Sequence, residues 1–456
     1  MKVQLPPTVL EILEKFQKKK YRVYLVGGAV RDLIMGRPTY DWDFTTDATP
    51  EEILNIVPGG LYNNQYGTVF TPNPEDPQRP HEITTFRKEE GYSDIRHPDK
   101  VTWGKTLEED LSRRDFTINA MALELKSKER DNFSEMNLID PYEGEKDLKK
   151  KVICAVGNPS ERFNEDALRM MRAIRIAAEL GFTIEEKTLE AIKANATLIN
   201  KIAKERVKDE LFKLLSSMFP YEGMLLLRNS GLLEEILPEL EKCFGVEQKS
   251  PGRHHLYDVG NHLLMSLKNC KSEDSVTRLA TLIHDIGKPP TYKKLETGVI
   301  TFYNHEMVST KIAQNIAERL RLSNKETEKL ITLVRFHQFT VDERQTDSAI
   351  RRFIRNVGKE NITDMLALRV ADRLGGGATE TSWRLEEFKK RLIEVQKEPF
   401  TIKDLKIDGN DVMKELNLKP GQKVGEILEK LFDEVVKKKI PNEKESLLSR
   451  LLEFKP

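Results

Sequence analysis

Cysteine is nearly absent from the 456 residues, occurring only as Cys154, Cys243 and Cys270. Three widely spaced thiols build neither a disulfide framework nor a cysteine zinc site, and they are expected to be ordinary buried thiols. Net charge is absent too. Lysine plus arginine and aspartate plus glutamate number 74 each, so only the distribution of charge can argue for a nucleic-acid partner. Basic runs at 146–151, 201–213 and 437–439 are compatible with phosphate contact, although most such runs are solvated helix faces. No apolar run reaches the roughly 18 residues that would span a bilayer. The N-terminus, MKVQLPPTVLEILEKF, lacks the apolar core and small-residue cleavage site of a signal peptide. The expectation is a cytoplasmic protein with no membrane partner and no obligatory protein partner.

At roughly 150 residues per domain the length implies about three units. Short β-rich runs at 21–26, 42–45, 68–70, 82–86 and 121–125 alternate with helical segments, which reads as α+β. A proline-rich stretch, 73–80, is expected as an excursion between two strands. From Pro159 onward amphipathic helical patterns dominate. Breaks at 245–253 and at Gly375, Gly376 and Gly377 suggest boundaries, giving expected units of 1–138, 139–250, 251–376 and 377–456.

Two patterns in the first unit carry chemistry. YLVGGAVRD, residues 24–32, runs an apolar strand into Gly27 and Gly28 and then a helix start, where exposed amides and the positive helix end favour a phosphate. Alone this is a common structural turn. Ten residues after Arg31 comes DWDFTT, in which Asp41 and Asp43 have the period-two spacing that puts two carboxylates on one face of a strand. Such oxygens suit Mg²⁺, and two metals there would activate a 3′-hydroxyl and stabilise leaving pyrophosphate. Glu82, opening the strand EITTF, is the candidate third carboxylate. Further on, EDALRMMRAIR reads as one helix. Arg169, Arg172 and Arg175, three residues apart, form a single basic stripe on it, with Asp166 at its start.

GGAVRD followed by DWDFTT resembles the class II tRNA nucleotidyltransferase and bacterial poly(A) polymerase family, which belongs to the polymerase-beta-type nucleotidyltransferases. LSRRDFTINAMAL (111–123) resembles that family's ribose-binding motif, and residues 139–182 resemble its nucleobase-selecting region. The resemblance implies template-independent addition of CCA to the 3′ end of tRNA from CTP and ATP, with Mg²⁺ in the head. It implies that Asp166 and Arg169 read the base edge. A carboxylate accepts from the amine shared by cytosine and adenine and a guanidinium donates to ring nitrogen or carbonyl, which excludes GTP and UTP. Arg172 and Arg175 would bind the triphosphate. Arg114, Asp115 and Asn119 would sit near the sugar and phosphates, with Gly27, Gly28 and Arg31 in the glycine turn. Residues 91–105, polar and turn-rich, resemble the family's mobile loop for switching from C to A addition. An A-adding enzyme or poly(A) polymerase of the same family is the near alternative.

The helical half carries a second pattern. Six of eight histidines lie between 254 and 337. His262, His284, Asp285, His305, His337 and Asp372 follow the order H…HD…H…H…D, a donor set for a divalent transition metal that could carry an activated water. This resembles an HD-type metal phosphohydrolase, including the two extra histidines of two-metal versions. His254 and His255 are possible substrate contacts. The implied architecture is a polymerase-beta-type head (1–138), a helical neck and body for base selection and tRNA binding (139–250), an HD domain (251–376) and a helical tail (377–456). An HD phosphohydrolase whose head only grips tRNA is the alternative of another class.

Overall fold

The computed structural model describes all residues except 64–66, 92–99, 129–132, 249–255, 340, 343, 397–401, 438 and 455–456. The chain is α+β, a mixed sheet followed by a long helical remainder. In chain order the strands of the first part are β1 (Lys2–Gln4), β2 (Val23–Val26), β3 (Asp43–Thr46), β4 (Leu61–Asn63), β5 (Thr68–Thr71), β6 (His81–Thr85), β7 (Arg87–Glu90), β8 (Lys100–Trp103), β9 (Ala122–Lys128) and β10 (Phe133–Ile139). Eight of them form one sheet in the order β1-β10-β9-β2-β3-β6-β5-β4, while β7 and β8 pair as a separate hairpin. Within this sheet β3 and β6 run parallel, in a register that sets Asp43 opposite Glu82.

The centre of the sheet follows from its residues. All four residues of β2 are buried, as a continuous apolar strand covered on both faces must be. In β3 the threonines are buried but satisfied: Thr45 Oγ1 donates to Thr84 O (3.2 Å) and Thr46 Oγ1 to Arg22 O (2.6 Å). The helix Pro7–Lys18 covers the sheet with Leu13 and Phe16, both fully buried. Residues 72–80 connect β5 to β6, as the proline-rich stretch implied. The hairpin corrects one expectation: 100–103, read as part of a mobile loop, is a strand paired with 87–90, and 92–99 lie outside the described residues. Cys243 and Cys270 are buried, but Cys154 is only partly so.

Beyond the sheet the chain is helical. One continuous core runs from Val3 through Val395, and a separate core begins at Leu405 and is closed by the helices Gly409–Leu416, Gln422–Val436 and Lys444–Leu452. Among the described residues no helix is long and apolar enough to cross a membrane.

Candidate active sites

In the head, the turn from β2 into the helix Gly28–Ile34 passes through Gly27 at φ +73°, ψ −144°, a conformation essentially reserved for glycine. A methyl group there would lie 3.2 Å from Asp43 Oδ2 and 3.3 Å from Arg114 Nη1. The bare turn thus keeps clear the space where a buried carboxylate and a guanidinium meet. Asp43 opens β3 beside Glu82. Burial and then the neighbouring carboxylates raise the Glu82 carboxyl above its ordinary range. Burial likewise raises Asp43, opposed by Arg114 and reinforced by Asp41. Two neighbouring, mutually repelling carboxylates, Asp43 half-buried and Glu82 exposed at the strand start, fit a divalent cation, which relieves their repulsion.

Asp41 departs from the expected geometry. It precedes β3 rather than sharing a strand face with Asp43, and its side chain is 79% exposed, 3.9 Å from Arg79 Nε. Nothing compels an exposed carboxylate to close on two like charges when a surface guanidinium is at hand.

Arg114 is placed from below. Thr106 and Glu109 form a capping box that starts the helix Leu107–Ser112. That helix carries the fully buried Asp110, which holds Arg113 at 2.7 Å and Arg114 at 3.3 Å. Asp115 is buried as well. Its Oδ1 accepts from Phe116 N (2.9 Å) and Asn119 Nδ2 (3.3 Å), and its Oδ2 accepts from Arg172 Nε (2.9 Å). Against the upward pull of burial, Arg172 and Arg169 hold its carboxyl at about 2. Asn119 also accepts from Arg31 Nη1 at 3.0 Å, while the rest of the Arg31 fork is paired with Asp32. Asp115 and Asn119 therefore link the glycine turn to the helical neck.

The three arginines of the stripe share one helix, but Asp166 lies before it. Pro159–Glu165 ends at Asp166, whose backbone is extended (φ −143°, ψ 105°), and a new helix runs Leu168–Leu180. Asp166 caps the break. Its Oδ1 accepts from Leu168 N (3.0 Å), and Arg206 Nη2 donates to Oδ2 (2.7 Å). Arg169 donates to Glu165 (2.5 Å) and to Arg113 O (3.1 Å). The stripe is tied to carboxylates: Arg172 lies 3.5 Å and Arg175 2.6 Å from the buried Glu210, and Arg175 also reaches Glu179 at 2.7 Å. Glu165, Arg206 and Glu210 were not singled out from sequence. Arg206 and Glu210 sit inside the basic run 201–213, where their i,i+4 spacing was the available signal.

The second site assembles all six of its residues. The helix Val259–Lys268, capped by Asp258, carries His262. His284 and His337 terminate the helices Ser275–Ile283 and Asn324–Phe336, His305 begins His305–Arg319, and Asp372 lies on Ile362–Gly375. Three imidazoles are pinned alike, with Nδ1 against the carbonyl three residues earlier: His284 to Thr281 (2.8 Å), His305 to Phe302 (2.8 Å) and His337 to Val334 (2.7 Å). That leaves every Nε2 facing the carboxylates. Asp285 stands at the centre. Its Oδ1 is 3.1 Å from His305 and 3.4 Å from His337, and its Oδ2 is 3.5 Å from His262 and 3.4 Å from His284. Asp372 Oδ1 completes the inner face at 3.2 Å from His262.

Lys288, missed from sequence although it lies three residues beyond Asp285, pairs with it at 2.6 Å. Gly287 lets this turn lie directly on the following helix, where a methyl group would come within 2.5 Å of Ser309 N. Burial would keep His284 neutral, yet Asp285 and Asp372 raise it to about 10. Nitrogen and oxygen donors in this arrangement would suit a divalent transition metal. Among the described residues the groups tight enough for a metal are His262–His284–Asp372 and His284–Asp285–His337. A 470 Å³ cleft lies over the cluster, lined also by Lys288, Tyr303 and Arg369. His254 and His255 lie outside the described residues.

Three family models match the chain: the poly A polymerase head domain over 23–154, an RNA and SrmB binding site of polymerase A over 181–244, and tRNA nucleotidyltransferase domain 2 over 296–451. The CCA-adding enzyme of Ligilactobacillus salivarius is 35% identical over 452 residues, covering 98% of this chain and 96% of that one. The chain belongs to the class II family of CCA-adding enzymes and poly(A) polymerases. The CCA-adding enzyme of Levilactobacillus brevis is likewise 35% identical, over 96% of this chain and 95% of its own. The crystal structure of the Bacillus stearothermophilus CCA-adding enzyme in complex with CTP superposes with a TM-score of 0.69 at 27% identity, covering 99% of this chain and 98% of that one. The third model begins inside the second site: His305, His337 and Asp372 fall within it, whereas His262, His284 and Asp285 precede it. The model found there is thus a tRNA nucleotidyltransferase domain rather than the HD domain expected from sequence.

Proposed function

We propose that the head adds CMP, CMP and AMP to the 3′ end of tRNA from CTP and ATP without a template. The observation that carries this is the pairing of Asp43 with Glu82 against the Gly27 turn and Arg114, in a chain of this family. In each addition the 3′-hydroxyl oxygen bonds to the α-phosphorus, the bond to pyrophosphate breaks, and the hydroxyl proton leaves. Asp41, Asp43 and Glu82 are the residues to hold Mg²⁺, which when bound offsets the charge of the triphosphate and acidifies the hydroxyl. The released proton passes to solvent water.

Gly27, Gly28 and Arg31 form the phosphate turn. Asp115 and Asn119 fix the floor beneath the sugar. Arg114, Arg172 and Arg175 oppose triphosphate charge, sharing their carboxylate partners with it. Asp166 and Arg169 select the base: Arg206 and Leu168 N hold the carboxylate as an acceptor, and Glu165 and Arg113 O orient the guanidinium. Asp166→Ala tests this. It should raise GTP and UTP incorporation relative to CTP by at least about tenfold, the worth of a good hydrogen-bond pair; unchanged discrimination refutes the assignment.

The six-residue cluster favours a second activity, hydrolysis of a phosphate ester. Water oxygen bonds to phosphorus, the ester P–O bond breaks, and the leaving alcohol takes a proton. The bound metal would supply the activated water, while Lys288 holds Asp285 ionised and in place. Release of phosphate from a nucleoside monophosphate by the Mn²⁺-loaded protein, lost in Asp285→Asn, is the expected result. Equal release by that variant would remove the reading.

A further inference from the structure

A second cleft of 760 Å³ adjoins the cleft over the metal cluster, the two sharing Gln338 and Arg369. Phe339 forms part of the second cleft, Arg369 and Arg373 stand one helical turn apart on the helix that carries Asp372, and Trp383 and Arg384 come from the start of Trp383–Gln396. The Arg369 guanidinium stands 5.4 Å from the Phe339 ring centre and its Nη1 is 3.2 Å from Asp372 Oδ2. It therefore touches the metal cluster on one side and the second cleft on the other. Arg384 lies 5.2 Å from the Trp383 ring centre, and Trp383 is 64% exposed. Asp342 pairs with Arg344 at 2.7 Å and also feels the charge of Arg384, and Glu386 pairs with Lys389 at 2.8 Å.

An exposed indole with three arginines along one wall is the chemistry that recognises unpaired bases joined by phosphodiesters. Rings stack on every base, and guanidinium forks meet phosphate oxygens. A mononucleotide whose phosphate lies at the metal cluster is accommodated in the first cleft and leaves the second unused. We propose that the second cleft binds the nucleotides preceding a terminal phosphate, so that the substrate of the helical-half site is the single-stranded end of an RNA chain. The proposal rests on the hydrolase reading for the terminal group. The strand-binding part stands on the cleft itself.

The test uses the full chain loaded with Mn²⁺. Phosphate release is compared between a 3′-phosphorylated pentaribonucleotide and a 3′-nucleoside monophosphate, and a 4-thiouridine version of the same pentanucleotide is photo-crosslinked and mapped. Expected are a higher kcat/KM for the pentanucleotide, a crosslink in the peptide bearing Trp383, and a fall of about tenfold in the pentanucleotide-to-mononucleotide ratio in Trp383→Ala and in Arg384→Ala, the loss of roughly one stacked base. Nucleotide addition to tRNA reports that both variants are folded. A ratio unchanged in both variants, or crosslinks only elsewhere, overturns the proposal even if both substrates are hydrolysed. If neither substrate is hydrolysed but the crosslink maps to Trp383 and is lost in Arg384→Ala, the strand-binding cleft stands and the hydrolase reading falls.

Discussion

Asp115→Asn probes the joint between the head and the helical neck. The wild-type carboxyl, at about 2 against an ordinary 3.8, owes that value to Arg172 and Arg169 overcoming the cost of burial. At about 1.4 kcal/mol per pKa unit the interaction is worth about 2 kcal/mol. The asparagine keeps the acceptor for Phe116 N and leaves Arg172 with Glu210 at 3.5 Å. The loss should therefore stay near that figure and below the roughly 3–5 kcal/mol of a wholly orphaned buried charge. Because the folded-state value is depressed, the stabilisation is complete above pH 3.8 and disappears as pH falls towards 2. Urea unfolding followed by tryptophan fluorescence is a suitable assay, since Trp42 is 6% exposed in the head core whereas Trp103 and Trp383 are already 44% and 64% exposed. The wild-type and variant curves should differ by about 2 kcal/mol from pH 7 to pH 5 and converge below pH 4. A difference under about 0.5 kcal/mol at pH 7, or one that persists undiminished to pH 2.5, would refute the electrostatic account of this joint.

Gly27→Ala should destabilise the head by about 1–3 kcal/mol from its backbone conformation alone, and should reduce nucleotide addition further by displacing Asp43 or Arg114; a thermal melt and an incorporation assay read the two effects separately. Asp43→Asn should abolish nucleotide addition without affecting phosphate release by the helical half, and Asp285→Asn should do the reverse, so loss of both activities in either variant would contradict two independent sites. Mn²⁺ at about a hundredfold over its Kd should stabilise the chelator-stripped protein by about 3 kcal/mol, a gain absent from Asp285→Asn when both are followed by thermal unfolding.

The sequence made the chemistry-bearing groups legible wherever identity and spacing alone carry the signal. The glycine turn, Asp43 opposite Glu82, and the six histidine and aspartate residues converge because helix ends and strand starts place them. The charged partners were not legible, because single-sequence periodicity holds no record of which carboxylate faces which guanidinium. Glu210, within a basic run, is buried between Arg172 and Arg175, and the helix break at Asp166 has no proline or glycine to announce it. Asp41 lies off the face of Asp43 for a local reason, since a two-residue spacing implies a shared face only where the strand has already begun. β1, at the edge of the sheet, and β10 beside it were missed because short or polar-alternating runs carry little apolar pattern.

The central claim, CCA addition by protein-directed base choice, is tested most directly by offering CTP, ATP, GTP and UTP separately, with Mg²⁺, to three tRNA transcripts ending at the discriminator base, at C and at CC. The account predicts that CTP extends the first two, that ATP completes the third, and that GTP and UTP extend none. Extension by ATP alone on all three, or no extension at all, would contradict it.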